Sequence, residues 1–196
     1  MEEDIQLYRQ FIYQLNPNVT KEEWDYFESG FSIRTFKPRE FYIEAGKLNH
    51  QLGFVTNGLV RGYYVSDAGE DITIQFEKKK GWVTDYPSLL NNKASRYNFQ
   101  CLEPTTIISV PFKHIQEGYD RYVGFERNGR LIAEDVLKQQ QQRIESFQFD
   151  SAEERYLTFM DKDPDLFNRV SLTHLASYLG IERTSLSRIR KKLARS

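Results

Sequence analysis

Apolar positions along the chain change their period twice. Ile5, Leu7, Tyr8, Phe11, Ile12 and Leu15 recur at helical spacing and stop at Asn16-Pro17. Thr20-Lys-Glu-Glu23 then opens a second helix through Trp24 and Phe27, toward Gly30, with the reciprocal caps of a capping box. From Phe31 to Val110 the pattern shortens to aromatic or β-branched runs: Phe31 to Phe36, Phe41 to Ile43, Leu52 to Val55, Leu59 to Val65, Asp71 to Phe76, Tyr97 to Leu102 and Thr105 to Val110. Turn residues such as Asn57-Gly58 and Asp67-Ala-Gly69 separate them. Strands recurring about every ten residues predict an antiparallel sandwich or barrel. Between its last strands, Trp82 to Ala94 forms a long connection with a helical turn at Pro87-Ser-Leu-Leu90, a place suited to a ligand.

After Pro111, at the first position of a short helix, the helical period returns. From about Gly124 to Phe149, Leu131, Ile132, Val136, Leu137, Ile144 and Phe147 form a stripe that Lys138-Gln-Gln-Gln-Gln-Arg143 interrupts. A stretch this long and polar is read as a connector that packs on the barrel and on a partner subunit, in preference to a solvated inter-domain helix. Asp150-Ser-Ala-Glu-Glu154 holds another capping box, and its helix passes Tyr156, Leu157 and Met160 to end near Asp163-Pro164. In the last segment Ser171 caps a helix whose apolar positions are Leu172, Leu175, Ala176 and Leu179. Gly180 supplies a left-handed turn, Ile181 an anchor, and Leu186, Ile189 and Leu193 the apolar face of a second helix. Two helices across a tight Gly turn have the form of a helix-turn-helix, whose second helix enters the DNA major groove.

Charge sharpens this reading. Taken as a sum, the net charge of -1 argues against nucleic acid, but residues 169–196 hold 7 basic and 1 acidic side chains, against 20 and 27 in residues 1–168. An acidic body with a basic tail points to a polyanion partner. With the apolar face turned inward, Arg183, Thr184, Ser185 and Arg188 are the base-reading candidates, since Arg pairs bidentately with guanine and hydroxyls accept several bases. Ser187, Arg190, Lys191, Lys192 and Arg195 are assigned to phosphates, adding affinity without sequence information. The bland alternative is a helical hairpin with solvated charges, which would normally mix acidic residues into that face; only Glu182 does so.

Other classes are weakened. No apolar run approaches the ~18 residues of a membrane span, and the acidic opening Met1 to Asp4 lacks signal-peptide design, so a cytoplasmic protein without a membrane partner is expected. A lone Cys101, in an apolar strand, excludes a disulfide framework or cysteine cluster, and without a second cysteine a redox role is disfavoured. His50, His114 and His174 are isolated in sequence, so no metal site, no catalytic set and no cupin-type enzyme is expected. The remaining rival is a ligand-binding or dimerisation module that has lost DNA binding.

The order of helix pair, barrel, long helix and helix-turn-helix resembles the Crp/Fnr family of bacterial transcription regulators over nearly the whole chain. The resemblance is most specific from Val170 to Leu193 and extends to the turn glycines Gly58 and Gly69; compact members of the Bacteroidetes type are most similar. It implies an α+β chain with a cyclic-nucleotide-binding-like double-stranded β-helix (jelly-roll) sensor domain at 1–124, a long dimerisation helix at 125–149 and a helix-turn-helix domain at 150–196. Its partners would be promoter DNA, a second copy of the chain and RNA polymerase. In the family, the positions matching Arg183, Thr184 and Arg188 contact bases.

Two departures qualify the resemblance. Where cyclic-nucleotide members carry Gly-Glu and, further on, Arg-Ser, this chain has Thr84-Asp85 and Ser95-Arg96. The acid is shortened, and the one-residue displacement turns Arg96 away from the pocket if the segment is a strand. Tight cAMP binding is therefore not expected. Asp85, Ser95, Arg96, Gln140 and Gln141 remain candidates for the pocket of an unidentified small-molecule effector, with no certain cofactor. The chain also stops at Ser196, three residues past Leu193, so the β-hairpin wing usual in the family is not expected.

Overall fold

The computed structural model describes residues 1–193, which divide into two compact units: residues 1–64 with 75–134, and residues 65–74 with 135–193. Among the described residues no helix is long and apolar enough to cross a membrane. Arg195 lies outside them.

The first unit begins with α1 (Glu2–Leu15) and α2 (Lys21–Ser29). Thr20 closes both halves of the predicted capping box: its hydroxyl accepts from Glu23 N, and its N–H donates to the Glu23 carboxylate at 2.8 Å. The strands are β1 (Ser32–Phe36), β2 (Phe41–Ile43), β3 (Gln51–Asn57), β4 (Leu59–Val65), β5 (Asp71–Lys78), β6 (Trp82–Val83), β7 (Asn98–Cys101) and β8 (Thr105–Pro111). They form two four-stranded sheets, ordered β1-β8-β3-β6 and β2-β7-β4-β5. In register, Ile33 of β1 faces Ile108 of β8, Phe54 of β3 faces the same Ile108, and Val60 of β4 faces Cys101 of β7.

Alternation along the strands makes two cores. Phe36, Ile43, Val55, Val60, Val83, Phe99, Cys101 and Ile107 pack together from both sheets, whereas Phe54 and Ile108, one residue out of phase, join a second cluster with Tyr8, Ile12, Trp24, Phe27, Ile115 and Phe125. Tyr8 is its centre, stacked on Phe54 at 4.1 Å and edge-on to Trp24, Phe27 and Trp82. Each such pair adds roughly 1 kcal/mol beyond area burial. The turn between β3 and β4 requires Gly58: φ is +98°, and a Cβ would lie 2.6 Å from the Pro104 carbonyl oxygen. The connection between β5 and β7 is more structured than its sequence suggests, since it contains β6, paired with Gly53 and Phe54, and α3 (Tyr86–Leu90). Pro111 ends β8 and sits as the N-cap of α4 (Phe112–Arg121), one position earlier than expected.

α5 (Val123–Phe149) is a single helix of 27 residues whose first half belongs to the first unit and second half to the second. The division falls after Glu134, inside the helix. The second unit continues with α6 (Ala152–Lys162), capped by Ser151 and Glu154, a 3-10 turn at Leu166–Asn168, α7 (Leu172–Leu179) and α8 (Arg183–Leu193). Tyr156, Phe159, Leu166, Leu175, Ala176, Leu179, Ile181 and Leu186 are its buried apolar residues. Residues 65–74, the tip of the β4–β5 hairpin, belong to this unit through Ser177, whose Oγ accepts from Thr73 N at 2.8 Å and donates to Asp71 O at 3.1 Å.

Candidate nucleic-acid interface

Local chemistry makes α7, the turn and α8. Ser171 Oγ accepts from His174 N at 3.1 Å, and Leu175 and Ala176 pin the helix by burial. Gly180 takes the left-handed conformation at φ +62°, and Ile181 N donates back to Ala176 O at 2.9 Å, the long bond of a Schellman-type end. Glu182 then starts α8. Its carboxylate accepts from the backbone N–H groups of Thr184 and Ser185 at 3.0 and 3.1 Å and from the Thr184 hydroxyl, so it occupies donors that the helix itself leaves open. The Thr184 hydroxyl, followed by the backbone bonds and the nearby Arg188 charge, holds this exposed carboxyl below the usual Glu range.

Leu186 is fully buried, which fixes how α8 is rotated. Arg183, Thr184, Arg188 and Lys191 are exposed, and with Ser187 and Leu172 they line an open groove between the start of α7 and the outer side of α8. Ser185 is half-buried and its Oγ accepts from Arg188 Nη2 at 3.2 Å, so these two base-reading candidates support one another. Two of the five phosphate candidates are turned elsewhere. Arg190 lies 4.3 Å over the Phe167 ring, while Lys192 Nζ reaches both carboxylate oxygens of Glu153, at 2.8 and 2.9 Å. Helical spacing places both at the edge of the apolar face, where Arg190 is half-buried against the 3-10 turn and Lys192 stays exposed in a surface ion pair with α6.

The connection between β6 and β7 gathers a different set. Asp85 and Ser95 are 4% and 3% exposed, whereas the Arg96 side chain is exposed. Asp85 Oδ2 accepts from Ser88 Oγ at 2.7 Å, Ser95 Oγ at 2.9 Å and Arg96 N at 3.3 Å; Oδ1 accepts from Ser88 N at 3.3 Å. Four donors thus converge on one buried carboxylate. Residues 96 and 97 form a bend before β7, and neither 95 nor 96 is part of a strand, so the outward turn of Arg96 comes from the bend and not from strand alternation. Gln140 and Gln141 are exposed on the second half of α5, where Gln141 donates to Glu145 one turn on at 3.0 Å.

Other candidate chemistry is quiet. Cys101 is buried and burial pushes its thiol up to about 11, which leaves almost no thiolate at neutral pH. Among the described residues no three His, Cys, Asp or Glu side chains converge as a metal site. His114 stacks on Tyr26 at 4.3 Å, with Nε2 2.9 Å from the Tyr26 carbonyl.

Residues 33–122 match the model of the cyclic nucleotide-binding domain family. No curated protein matches the chain. Solved structures do. FixK2 from Bradyrhizobium japonicum superposes with a TM-score of 0.71 at 15% identity, over 84% of this chain and 85% of that one. A protein described as a transcriptional regulator of the Crp/Fnr family from Eubacterium rectale gives 0.69 at 15%, over 93% and 87%. The Thermus thermophilus catabolite activator protein gives 0.56 at 19%, over 92% and 86%. The chain has the Crp/Fnr fold. At these identities the likeness is one of architecture.

Within the Crp/Fnr fold the closed state of Asp85 bears on ligand chemistry. The donors beside it are already engaged by the protein's own carboxylate, and an incoming phosphate would meet that negative charge. Two residues outside the sequence-derived set, Arg143 and Arg155, hold the turn between α7 and α8. Their signal in the sequence is faint: an Arg and a Phe four apart on one helix face, Arg143 and Phe147.

Proposed function

We propose that the chain is a sequence-specific DNA-binding transcription regulator of the Crp/Fnr type, acting as a homodimer through α5, and not an enzyme. One observation carries this reading: Arg183, Thr184, Arg188 and Lys191 stand exposed on one side of α8, with no acidic residue among them. In a helix-turn-helix that side enters the major groove with its N-terminal residues at base edges. Arg183, Thr184, Ser185 and Arg188 read bases, Ser187 and Lys191 contact phosphates, and Arg190 and Lys192 hold α8 against its own unit. Dimer pairing is supported by α5 residues 133–142, which are exposed around the whole helix although they include Val136 and Leu137. Two copies would present two reading helices to half-sites one DNA turn apart. RNA polymerase is a further partner on the family likeness alone.

The first unit is a sensor or scaffold domain that does not take cAMP tightly, because Asp85 occupies the donors of its connection. Selection of random duplex DNA by the purified full-length protein tests the function, and enrichment of a two-fold symmetric motif is expected. Failure to enrich any sequence would leave the module without DNA reading as the better account. Calorimetric titration with cAMP and cGMP is expected to show no saturable micromolar binding; such binding would overturn the closed connection.

A further inference from the structure

We infer that Arg143 is a positioning residue, through which α5 sets the turn that aims the reading helix. The inference deepens the DNA-reading proposal and rests on it for its functional half.

The last turn of α7 exposes three successive carbonyls, Tyr178, Leu179 and Gly180, at the negative end of the helix. Two cations from two other helices answer them. Arg143 of α5 donates Nη2 to Tyr178 O at 2.9 Å. Arg155 of α6 donates Nε to Leu179 O at 2.8 Å and Nη2 to Gly180 O at 3.4 Å, with Nη1 tied to Asp150 O at 2.7 Å. The Arg143 plane also stacks 4.0 Å over the Tyr178 ring and 4.9 Å over Phe147. Phe147 in turn lies against Gly180, where a Cβ would come within 2.7 Å of its ring. Each contact is directional, and together they leave the turn little freedom to slide along α5.

The place of Arg143 on α5 gives the contact its meaning. Residues 133–142 are exposed on all sides, so Arg143 is the first side chain after that stretch to be partly buried. Burial pulls its pKa down while the charge persists, because guanidinium stays protonated in proteins. A change in how α5 pairs or twists therefore arrives at α7 through this guanidinium. Arg155, one helix further on, holds the same turn from α6 and touches α5 only at its end, 5.4 Å over the Phe147 ring, whereas Arg143 belongs to α5 itself. Lys at 143 would keep the charge but lose the flat stacking surface.

Full-length Arg143→Met, Arg143→Lys and Arg155→Met are compared by amide hydrogen exchange and by binding to symmetric duplexes whose half-site spacing differs by one base pair. Arg143→Met is expected to speed exchange at least tenfold at residues 179–185 without change in β3 and β8. It is expected to reduce the preference for the best spacing at least fivefold, with less than twofold change on random DNA; Arg143→Lys should fall between. Unchanged exchange at 179–185 in Arg143→Met would overturn the inference, as would equal losses on all duplexes. If the wild-type protein shows no preference among duplexes, the DNA reading fails separately and the exchange result alone decides the role of Arg143. If Arg143→Met also loses protection in β3 and β8, Arg143→Lys decides instead: faster exchange confined to 179–185 supports the role, and unchanged exchange overturns it.

Discussion

The outer side of α8 and the connection between β6 and β7 both assemble donors suited to an anion, and they end in opposite states. On α8, Arg183, Arg188 and Lys191 face solvent, and the adjacent acid Glu182 is spent on capping the helix. In the connection, Ser88, Ser95 and Arg96 N close on Asp85, which is 4% exposed. Residue type alone does not make an anion site. What matters is whether the donors are left open when the chain folds.

The largest expected effect comes from opening the closed region. Asp85→Ala removes the acceptor of four hydrogen bonds, each worth about 0.5–1.5 kcal/mol, so a loss of about 3 kcal/mol is expected in urea unfolding. Asp85→Asn, which still accepts one or two of these bonds, should lose about half as much. If Asp85→Ala melts like the wild type, the carboxylate does not organise the connection and the contrast with α8 collapses.

The open region is expected to lose recognition and not stability. Arg188→Ala should cost about 1–3 kcal/mol on the selected sequence and relax preference at one base position. Lys191→Ala should weaken all sequences alike and lower the salt slope by about 1. Lys192→Ala offers the control: paired with Glu153, it should leave the salt slope nearly unchanged. Binding isotherms from low to moderate salt decide this, and equal behaviour of Lys191 and Lys192 would erase the division of the basic residues.

Elements are legible in the sequence where a short-range signal decides the structure. The capping boxes at Thr20-Glu23 and Ser151-Glu154, the Ser171 cap and the left-handed Gly180 each need only a few neighbouring residues, and each helix forms where they place it. Seven of the strands follow from their aromatic or β-branched runs. β6 does not, because two residues carry no period and Trp82-Val83 is a strand only through β3. The engagement of Arg190 and Lys192 is hidden for the same reason: Phe167 and Glu153 are supplied by other elements. Spacing locates Asp85 as the departure from the family pattern, but its four donors meet only in the folded loop. The division of the units after Glu134 lies inside a continuous helix, where no change of composition marks it.

Glu182 stands between the two regions compared, an acid closed on backbone donors at the mouth of an open cationic groove. Its folded pKa is depressed, so its contribution to α8 is present above the unfolded Glu value and fades as pH falls through the lower folded value. The Ser151-bonded Glu154 behaves alike at the start of α6, its depression again led by the side-chain hydrogen bond. Exchange at Thr184 and Ser185 amides, corrected for intrinsic rates, should therefore rise on acidification below about pH 4 in the wild type. Glu182→Gln keeps an acceptor but has no charge to lose, so its exchange should be faster at neutral pH and flat across the same range. Removing the charge also removes repulsion from the backbone of DNA, and a small gain on random duplexes is expected, below threefold. A Glu182→Gln protein that kept the wild-type acid response at Thr184 and Ser185 would show that the carboxylate does not cap α8, and the acid at that position would need another explanation.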